Sequence, residues 1–158
     1  MEKKYPPLDI KYRIVKILSV KFNFEDLREE TIEKLFATKD ALDLNITTDF
    51  KIEKEPSTIT IDISTNLLNK QDESAIIVHT GRTMFHLVGL DKAYKKETDS
   101  FVLPDNLTAQ LYSLAYSHSR ALLAAELNPT LYRDKYFLPV LDASIFLNDK
   151  EKRKASKK

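Results

Sequence analysis

The fold is decided by one uninterrupted stretch, Ser74–Leu90, which reads Ser-Ala-Ile-Ile-Val-His-Thr-Gly-Arg-Thr-Met-Phe-His-Leu-Val-Gly-Leu. It is rich in β-branched residues, lacks proline and contains both glycines of the chain, Gly81 and Gly89. β-Branched residues favour strands, whereas a glycine inside a strand makes no side-chain contact and marks a bulge, a bend or a close approach of another backbone. The stretch therefore predicts one long strand that bends near Gly81 and ends near Gly89.

Three further strands are predicted by apolar residues at alternate positions in Ile10–Phe24, Leu42–Ile52 and Thr58–Ser64. Alternation is the period of a strand with one covered face. The short polar turns Glu53–Ser57 and Asn69–Asp72 separate successive strands, and turns this short cannot connect parallel neighbours. We therefore expect a four-stranded antiparallel sheet.

The first strand and the connection after it carry more specific expectations. Val15 and Ile17 add apolar side chains to the second face of the first strand, so we expect part of it to be buried on both faces. In Glu25–Ala41 the alternation gives way to apolar residues at helical spacing, which predicts a connection with a short helix capped by Asp26. Asp91–Ser100 is polar and charged, and it predicts a loop.

A long helix is predicted from Asp105, a suitable N-cap, to Asn128-Pro129, which stops it. Its apolar residues form two stripes, the first of Leu107, Leu111, Leu114, His118, Ala121 and Ala125, and the second of Tyr112, Tyr116, Leu123 and Leu127. Two stripes are wider than one sheet face requires. The helix is therefore either deep in the subunit or in contact with another copy of the chain, and we favour an oligomer interface at the second stripe. Asp142–Leu147 predicts the start of a second, short helix.

Composition bounds the class of protein. The 158 residues predict one domain, residues 10–147, with a flexible arm at residues 1–9 and a disordered basic tail at residues 148–158. The chain has no cysteine, no apolar run long enough to cross a membrane and no apolar segment near its start, so we expect a cytoplasmic protein that does not insert into membranes. Because the basic charge is concentrated in the tail and the rest is near neutral, nucleic acid is not an expected partner.

Three motifs resemble the SecB family of export chaperones. Ile14–Glu25 resembles the first strand of that family, and Val78–Leu90 resembles its last strand, with Gly, Phe and Gly-Leu at matching offsets. Leu103–Leu147 resembles its helical end. The parts of that end that resemble the family's Tyr-Ala-Arg-Glu and Ala-Pro-Val-Asn-Phe-Asp motifs are Tyr116 with Arg120, and Leu138–Asp142.

The resemblance implies an α+β fold, with a four-stranded antiparallel sheet and with a long helix and a short C-terminal helix packed on one face. It also implies an ATP-independent chaperone without cofactor or enzymatic activity. Such a protein holds unfolded or pre-export polypeptides in an apolar groove, keeps them translocation-competent, and assembles as a dimer or tetramer.

Two further points concern partners. Members of the family are strongly acidic, which suits docking on the motor SecA, whereas this chain is near neutral with a basic tail. The resemblance therefore supports the chaperone role better than a SecA partnership. Two alternatives stay open: a SecB-like chaperone dedicated to one client, such as an antitoxin, and a non-enzymatic oligomeric adapter.

Aromatic and aliphatic residues flank the two connections that the resemblance places beside the client groove. Large side chains on adaptable connections suit clients of many sequences. The candidate client-binding residues are Phe22, Phe24, Leu27, Phe36, Tyr132, Tyr136, Phe137 and Val140. The alternative for each of them is that it closes the core of the subunit.

The three histidines do not predict a catalytic or metal site. His79 and His86 are seven residues apart and should face opposite sides of one strand. His118 fills an apolar position of the long helix, where a hydrogen-bonded core residue is expected. The sequence has no short His or Cys ligand spacing and no glycine-rich phosphate loop, so we expect neither catalytic residues nor metal ligands.

Overall fold

The computed structural model describes residues 8–142 and 144–147. Its elements, in chain order, are β1 (Lys11–Phe24), α1 (Glu29–Ala37), β2 (Leu42–Glu53), β3 (Thr58–Asn69), β4 (Ala75–Val88), β5 (Tyr94–Lys95), β6 (Ser100–Phe101) and α2 (Asp105–Leu127). A 3-10 turn, Leu90–Ala93, precedes β5, and residues 144–147 are helical. Residues 1–7 of the predicted arm and all of the predicted tail, residues 148–158, lie outside the described residues.

Strand β4 lies inside a four-stranded antiparallel sheet with the order β1-β4-β3-β2. It pairs with β1 on one side and β3 on the other, so the stretch that decides the fold joins both parts of the sheet. The four-stranded antiparallel sheet predicted from the alternation is confirmed. Strand β3 continues to Asn69 rather than ending at Ser64. The buried side chains of Thr65 and Leu67 extend its covered face by two more alternate positions.

Helix α2 covers one face of the sheet, where it contacts β4, β3 and β1. The covered positions alternate along the central strands, and the largest buried side chains among them are Ile59, Ile61, Ile63, Ile77, Phe85 and Leu87. Removing such side chains from water contributes about 1.5–3 kcal/mol each. The other face is polar, and there Arg82 donates two hydrogen bonds of 2.7 Å to the carboxylate of Asp62. The core therefore lies between the sheet and α2.

Gly81 allows a close approach between β4 and α2. A Cβ atom at this position would lie 2.7 Å from Oγ of Ser119 and 3.1 Å from its Cα atom. Of the three features that a glycine inside a strand can mark, the close approach of another backbone is the one observed at Gly81, and the predicted bend there stays a prediction. Gly89 follows the end of β4 with a φ of +88°, a left-handed conformation that side-chain-bearing residues rarely adopt. It ends the strand close to the predicted position.

Strand β1 is an edge strand, and its burial differs from the prediction. Val15 and Ile17, expected to be buried, are 45% and 42% exposed. The physical reason is position: β1 lies at the edge of the sheet, and its pairing with β4 is irregular between Ile14 and Lys16 and again between Ser19 and Lys21. At each irregularity one residue of β1 has no partner, and the alternation of side chains between the two faces of the sheet is interrupted. Ile17 pairs with the buried Thr83 and so lies on the face towards α2, whereas Val15 has no partner residue on β4; both side chains are left partly uncovered at the edge of the sheet.

Helix α2 also differs from the prediction for its second stripe. The predicted oligomer-interface residues Tyr112, Tyr116, Leu123 and Leu127 are 1–5% exposed, so they lie inside the subunit. Within the first stripe, Ala121 and Ala125 are exposed instead. The prediction that the second stripe forms an exposed interface is therefore wrong. The alternative stated for this helix, that it lies deep in the subunit, is observed. No helix in the described part of the chain is both long and apolar enough to span a membrane.

Three local predictions need smaller corrections. Asp26 does not cap α1; the N-cap residue is Arg28, whose side chain makes no capping hydrogen bond. Asp105 is the first residue of α2 rather than its N-cap. Residues 91–100, expected to be a loop, contain most of the 3-10 turn and of the β5–β6 hairpin, in which Tyr94 pairs with Phe101. Alternation over two-residue strands is too short to be visible in a sequence.

Replacing Gly81 by alanine should destabilise the fold by about 1–3 kcal/mol, because the new methyl group overlaps Ser119. The loss should be smaller in a Ser119→Ala background, since Oγ of Ser119 is the nearest atom. This hydroxyl is buried without a hydrogen-bond partner among the described residues, so Ser119→Ala alone should cost little. Urea unfolding of the wild type, both single variants and the double variant measures the coupling. An unchanged midpoint for Gly81→Ala would contradict the close approach.

Candidate functional site

An aromatic cluster forms where the end of β1 meets α1 and the segment 129–142. The ring centroid of Phe24 lies 5.6 Å from that of Phe22 and 6.0 Å from that of Tyr132. Phe36 of α1 lies 6.3 Å from Tyr132 and 6.0 Å from Tyr136. Five of the eight predicted client-binding residues therefore lie together, although they are distant in sequence. Tyr132 and Tyr136 are buried, Phe22 and Phe36 are half-buried, and Phe24 is exposed.

Polar contacts hold the cluster in place. The Tyr132 hydroxyl donates a hydrogen bond of 2.7 Å to the backbone carbonyl of Glu25. Burial raises the pKa of Tyr132 to about 12, and the negative charge of Glu25 adds to the effect, so the hydroxyl stays a donor at neutral pH. Lys135 Nζ lies 3.5 Å from a carboxylate oxygen of Glu29 and 3.6 Å from one of Glu33. These contacts join the segment 129–142 to α1 and to the connection before it.

A groove of about 860 Å³ opens between α1 and the turn that joins β3 to β4. Leu27, the sixth predicted client-binding residue, lines this α1 groove together with Leu35 and Ile76. Charged side chains of both signs complete its lining, at Glu25, Lys34, Lys39, Asp40, Lys70 and Asp72. Its size is within the range of ligand pockets. Apolar patches bordered by both charges can contact extended polypeptide of varied sequence.

The last two predicted residues, Phe137 and Val140, are 60% and 78% exposed. Val140 borders a small cavity on α2 with Tyr116 and Arg120, so it lies apart from the aromatic cluster. Helix α2 fixes this segment through hydrogen bonds from Tyr116 Oη to the carbonyl of Pro139 (2.7 Å) and from Arg120 Nε to the carbonyl of Leu138 (3.0 Å). The two motifs of the helical end that resemble the SecB family, Tyr116 with Arg120 and Leu138–Asp142, are thus hydrogen-bonded to each other. The role of all eight residues in client binding stays a prediction.

A second apolar surface was not predicted from the sequence. It is formed by four side chains of β1 that are 41–46% exposed, and we call it the β1 band: Ile14, Val15, Ile17 and Val20. The signal was present as apolar residues at both odd and even positions of β1, but such a pattern is also typical of a strand buried on both faces. Only the edge position of β1 distinguishes the two.

The histidines occupy three different environments. His79 is fully buried, and its Nε2 lies 3.0 Å from Oγ of Ser19, while Nδ1 has no hydrogen-bond partner among the described residues. His86 lies on the open face of the sheet, opposite to His79 as predicted. His118 Nδ1 lies 3.0 Å from Oγ1 of Thr83, which confirms the predicted hydrogen bond. Across residues 8–142 and 144–147, no three His, Asp or Glu side chains are grouped so that they could hold a metal ion.

Comparison with known proteins identifies the fold. No protein-family model matches the sequence, and no curated protein matches it. Among solved structures, the chain is similar to Rv1957, a SecB-like chaperone of Mycobacterium tuberculosis in complex with a ChAD peptide from the Rv1956 HigA1 antitoxin. The sequence identity is 17% and the TM-score 0.51, and the match covers 82% of this chain and 87% of that chain. The chain therefore has a SecB-like fold, as its motifs predicted.

A second similar structure is a protein of unknown function from Streptococcus agalactiae. Its sequence identity to this chain is 13% and its TM-score is 0.43. The match covers 83% of this chain and 98% of that chain.

Stability should fall as the pH is lowered from about 7.5 to about 5.5. Burial lowers the pKa of His79, opposed by the negative charge of Glu126, and burial also lowers the pKa of His118. Below the ordinary histidine pKa of about 6.5, the unfolded chain therefore binds more protons than the folded chain. The free energy of unfolding consequently decreases as the pH falls below that value. Urea midpoints measured across this range test the prediction.

The histidine variants identify the groups responsible. His79→Gln and His118→Asn should each flatten the pH dependence, whatever their effect on absolute stability. His86→Gln, on the open face, is the control and should keep the dependence. If His79→Gln and His118→Asn retained the full slope, other groups would have to cause it.

Proposed function

We propose that this chain is an ATP-independent, non-enzymatic chaperone of the cytoplasm that binds unfolded or pre-export polypeptide. The observation that carries the proposal is exposed apolar surface: Phe24 at the edge of the aromatic cluster is 42% exposed, and Phe137 is 60% exposed. The ring of Phe24 contacts those of Phe22 and Tyr132, so the aromatic cluster reaches the surface there. Exposed apolar surface of this kind typically marks a binding site in a folded protein. The SecB-like fold adds support, because the similar chaperone structure holds a peptide.

The proposed client site consists of the aromatic cluster, the exposed Phe137 that follows Tyr136 in the chain, and the α1 groove. Aromatic side chains offer large contact areas, and the groove offers apolar contacts beside charges of both signs. Neither feature requires one particular client sequence. Binding removes free unfolded chain from solution, so it delays folding and aggregation by mass action without consuming nucleotide.

A chaperone dedicated to one client is the second candidate. The observation that favours it is that the similar SecB-like chaperone was solved with a peptide from an antitoxin. A dedicated chaperone would bind one client much more tightly than a set of unrelated denatured proteins. Affinity purification of the tagged chain, followed by identification of the bound polypeptides, separates one dominant client from a broad set.

The purified protein should suppress aggregation of a denatured client in the absence of nucleotide, as measured by light scattering. Phe24→Ser combined with Phe137→Ser should weaken suppression at least about tenfold, because burying one large apolar side chain contributes about 1.5–3 kcal/mol and about 1.4 kcal/mol already corresponds to a factor of ten. The matched control is Val88→Ser, which removes a side chain that is 62% exposed at the other end of β4. Suppression that is absent at several-fold molar excess, or equal in both variants, would reject the proposed site.

We also propose that copies of the chain associate through the β1 band. The second stripe of α2 is buried, whereas four apolar side chains remain exposed along the edge strand β1, those of Ile14, Val15, Ile17 and Val20. Burying these side chains against a second copy would cover the apolar surface that the subunit leaves open. This places self-association at the middle of β1 and client binding at its end.

Native mass spectrometry should show a dimer or a larger assembly of the wild-type chain. Ile17→Lys combined with Val20→Lys should shift the distribution towards monomer, because each new ammonium group would be desolvated in the contact. Val88→Lys is the control at a comparably exposed position outside the band. An assembly that survives the double substitution would place the interface elsewhere.

A further inference from the structure

A second groove lies at the opposite end of β1 from the aromatic cluster. It has a volume of about 810 Å³ and is formed by Leu8, the 3-10 turn, the β5–β6 hairpin and the residues before α2. Its apolar lining includes Leu8 and Val102, which are 38% and 45% exposed, together with Leu103 and Pro104. We call it the hairpin groove. It shares no lining residue with the α1 groove.

The charge of the hairpin groove is positive. Lys92, Lys95 and Lys96 line it, against the single carboxylate of Glu97. The three lysine side chains are exposed, and none has an ion-pair partner among the residues that the structure describes. The nearby carboxylate of Asp99 already accepts a hydrogen bond from the Tyr94 hydroxyl. The groove therefore presents uncompensated ammonium groups beside exposed apolar side chains.

We propose that the hairpin groove docks an acidic polypeptide segment that carries an apolar anchor residue. Charge complementarity selects the segment: its carboxylates pair with the three ammonium groups, and its apolar side chain covers Leu8 and Val102. The chemistry favours polypeptide over nucleic acid for two reasons. The floor of the groove is aliphatic, and one face of its aromatic ring, that of Tyr94, is already covered by Lys54 Nζ at 4.6 Å from the ring centroid.

This docking site is separate from the proposed client site. The length of the β1–β4 pair separates the two, since Lys11 pairs with Val88 at one end and Phe24 pairs with Ile77 at the other. Along β4, at about 3.3 Å per residue, this separation is about 36 Å. The client site is aromatic with mixed charge, whereas the hairpin groove is aliphatic and basic. The groove therefore suits an acidic segment of a dedicated partner protein rather than unfolded chain in general.

Fluorescence anisotropy with labelled peptides tests the proposal. The probes are a Glu-rich peptide with central leucines, the same peptide with glycine in place of the leucines, and a Lys-rich peptide with the leucines kept. The Glu-rich peptide with leucines should bind most tightly. Lys92→Glu, Lys95→Glu and Lys96→Glu together should weaken its binding about tenfold or more, since exposed ion pairs contribute modestly but add up. Val102→Ser should weaken only the binding of the peptides that carry leucines.

The matched control is Arg13→Glu with Lys16→Glu and Lys21→Glu, which makes the same charge change on the open face of the sheet. It should leave binding of the Glu-rich peptide within about twofold of wild type. Equal losses in both triple variants would mean general charge attraction and would overturn the proposal. So would a single-stranded oligonucleotide of equal charge that binds more tightly than the peptide. Circular dichroism checks that each variant is folded, and the aggregation assay with the lysine variant reports separately on the client site.

Discussion

Close packing of α2 against β4 at Gly81 determines which surfaces of the subunit are covered. No side chain separates this point of the strand from Ser119, so the helix backbone lies close to the central strands. Helix α2 is centred on β4 and contacts both of its neighbours, β1 and β3. On one side Tyr112 reaches β2, with its ring centroid 5.4 Å from that of Phe50. On the other side, two irregularities in the pairing of β1 leave Val15 and Val20 without a partner residue, and the β1 band stays exposed there.

The same helix positions the segment 129–142 and, through it, the aromatic cluster. Tyr116 and Arg120 hold the segment 129–142 by its carbonyl groups, and Tyr132 within that segment donates to the carbonyl of Glu25. Through these hydrogen bonds to backbone carbonyls, the position of α2 fixes the position of the segment 129–142 relative to the end of β1, where the aromatic rings meet. Hydrogen bonds to backbone constrain the position of the segment and not the identity of its side chains. Phe137 can therefore stay exposed on a segment whose course is fixed.

Sequence periodicity predicted the sheet well because alternation directly reports a covered face, and β2 and β4 begin and end close to the predicted residues. The five aromatic residues of the cluster were chosen for their place beside two connections, and the structure brings them together. What periodicity could not supply is which strand lies at the edge. Val15 and Ile17 fit a strand buried on both faces equally well, and Tyr112 and Tyr116 fit an exposed stripe as well as a buried one. Strand order and helix placement decide these cases, and both arise from contacts between residues far apart in sequence.

Strand β1 exposes apolar side chains and also has a free edge, along which a strand of another chain could pair through backbone hydrogen bonds. Edge strands in natural proteins avoid such pairing with bulges and with charged side chains, lysine above all. Strand β1 has both devices: two irregularities in its pairing, and exposed basic residues along its open face at Lys11, Arg13, Lys16 and Lys21. These features oppose the regular backbone ladder that a passing strand would need. Contacts made by side chains, such as those of Phe24 and of the β1 band, are not opposed in this way. The exposed side chains of β1 can therefore make apolar contacts while its edge still resists growing into an extended sheet.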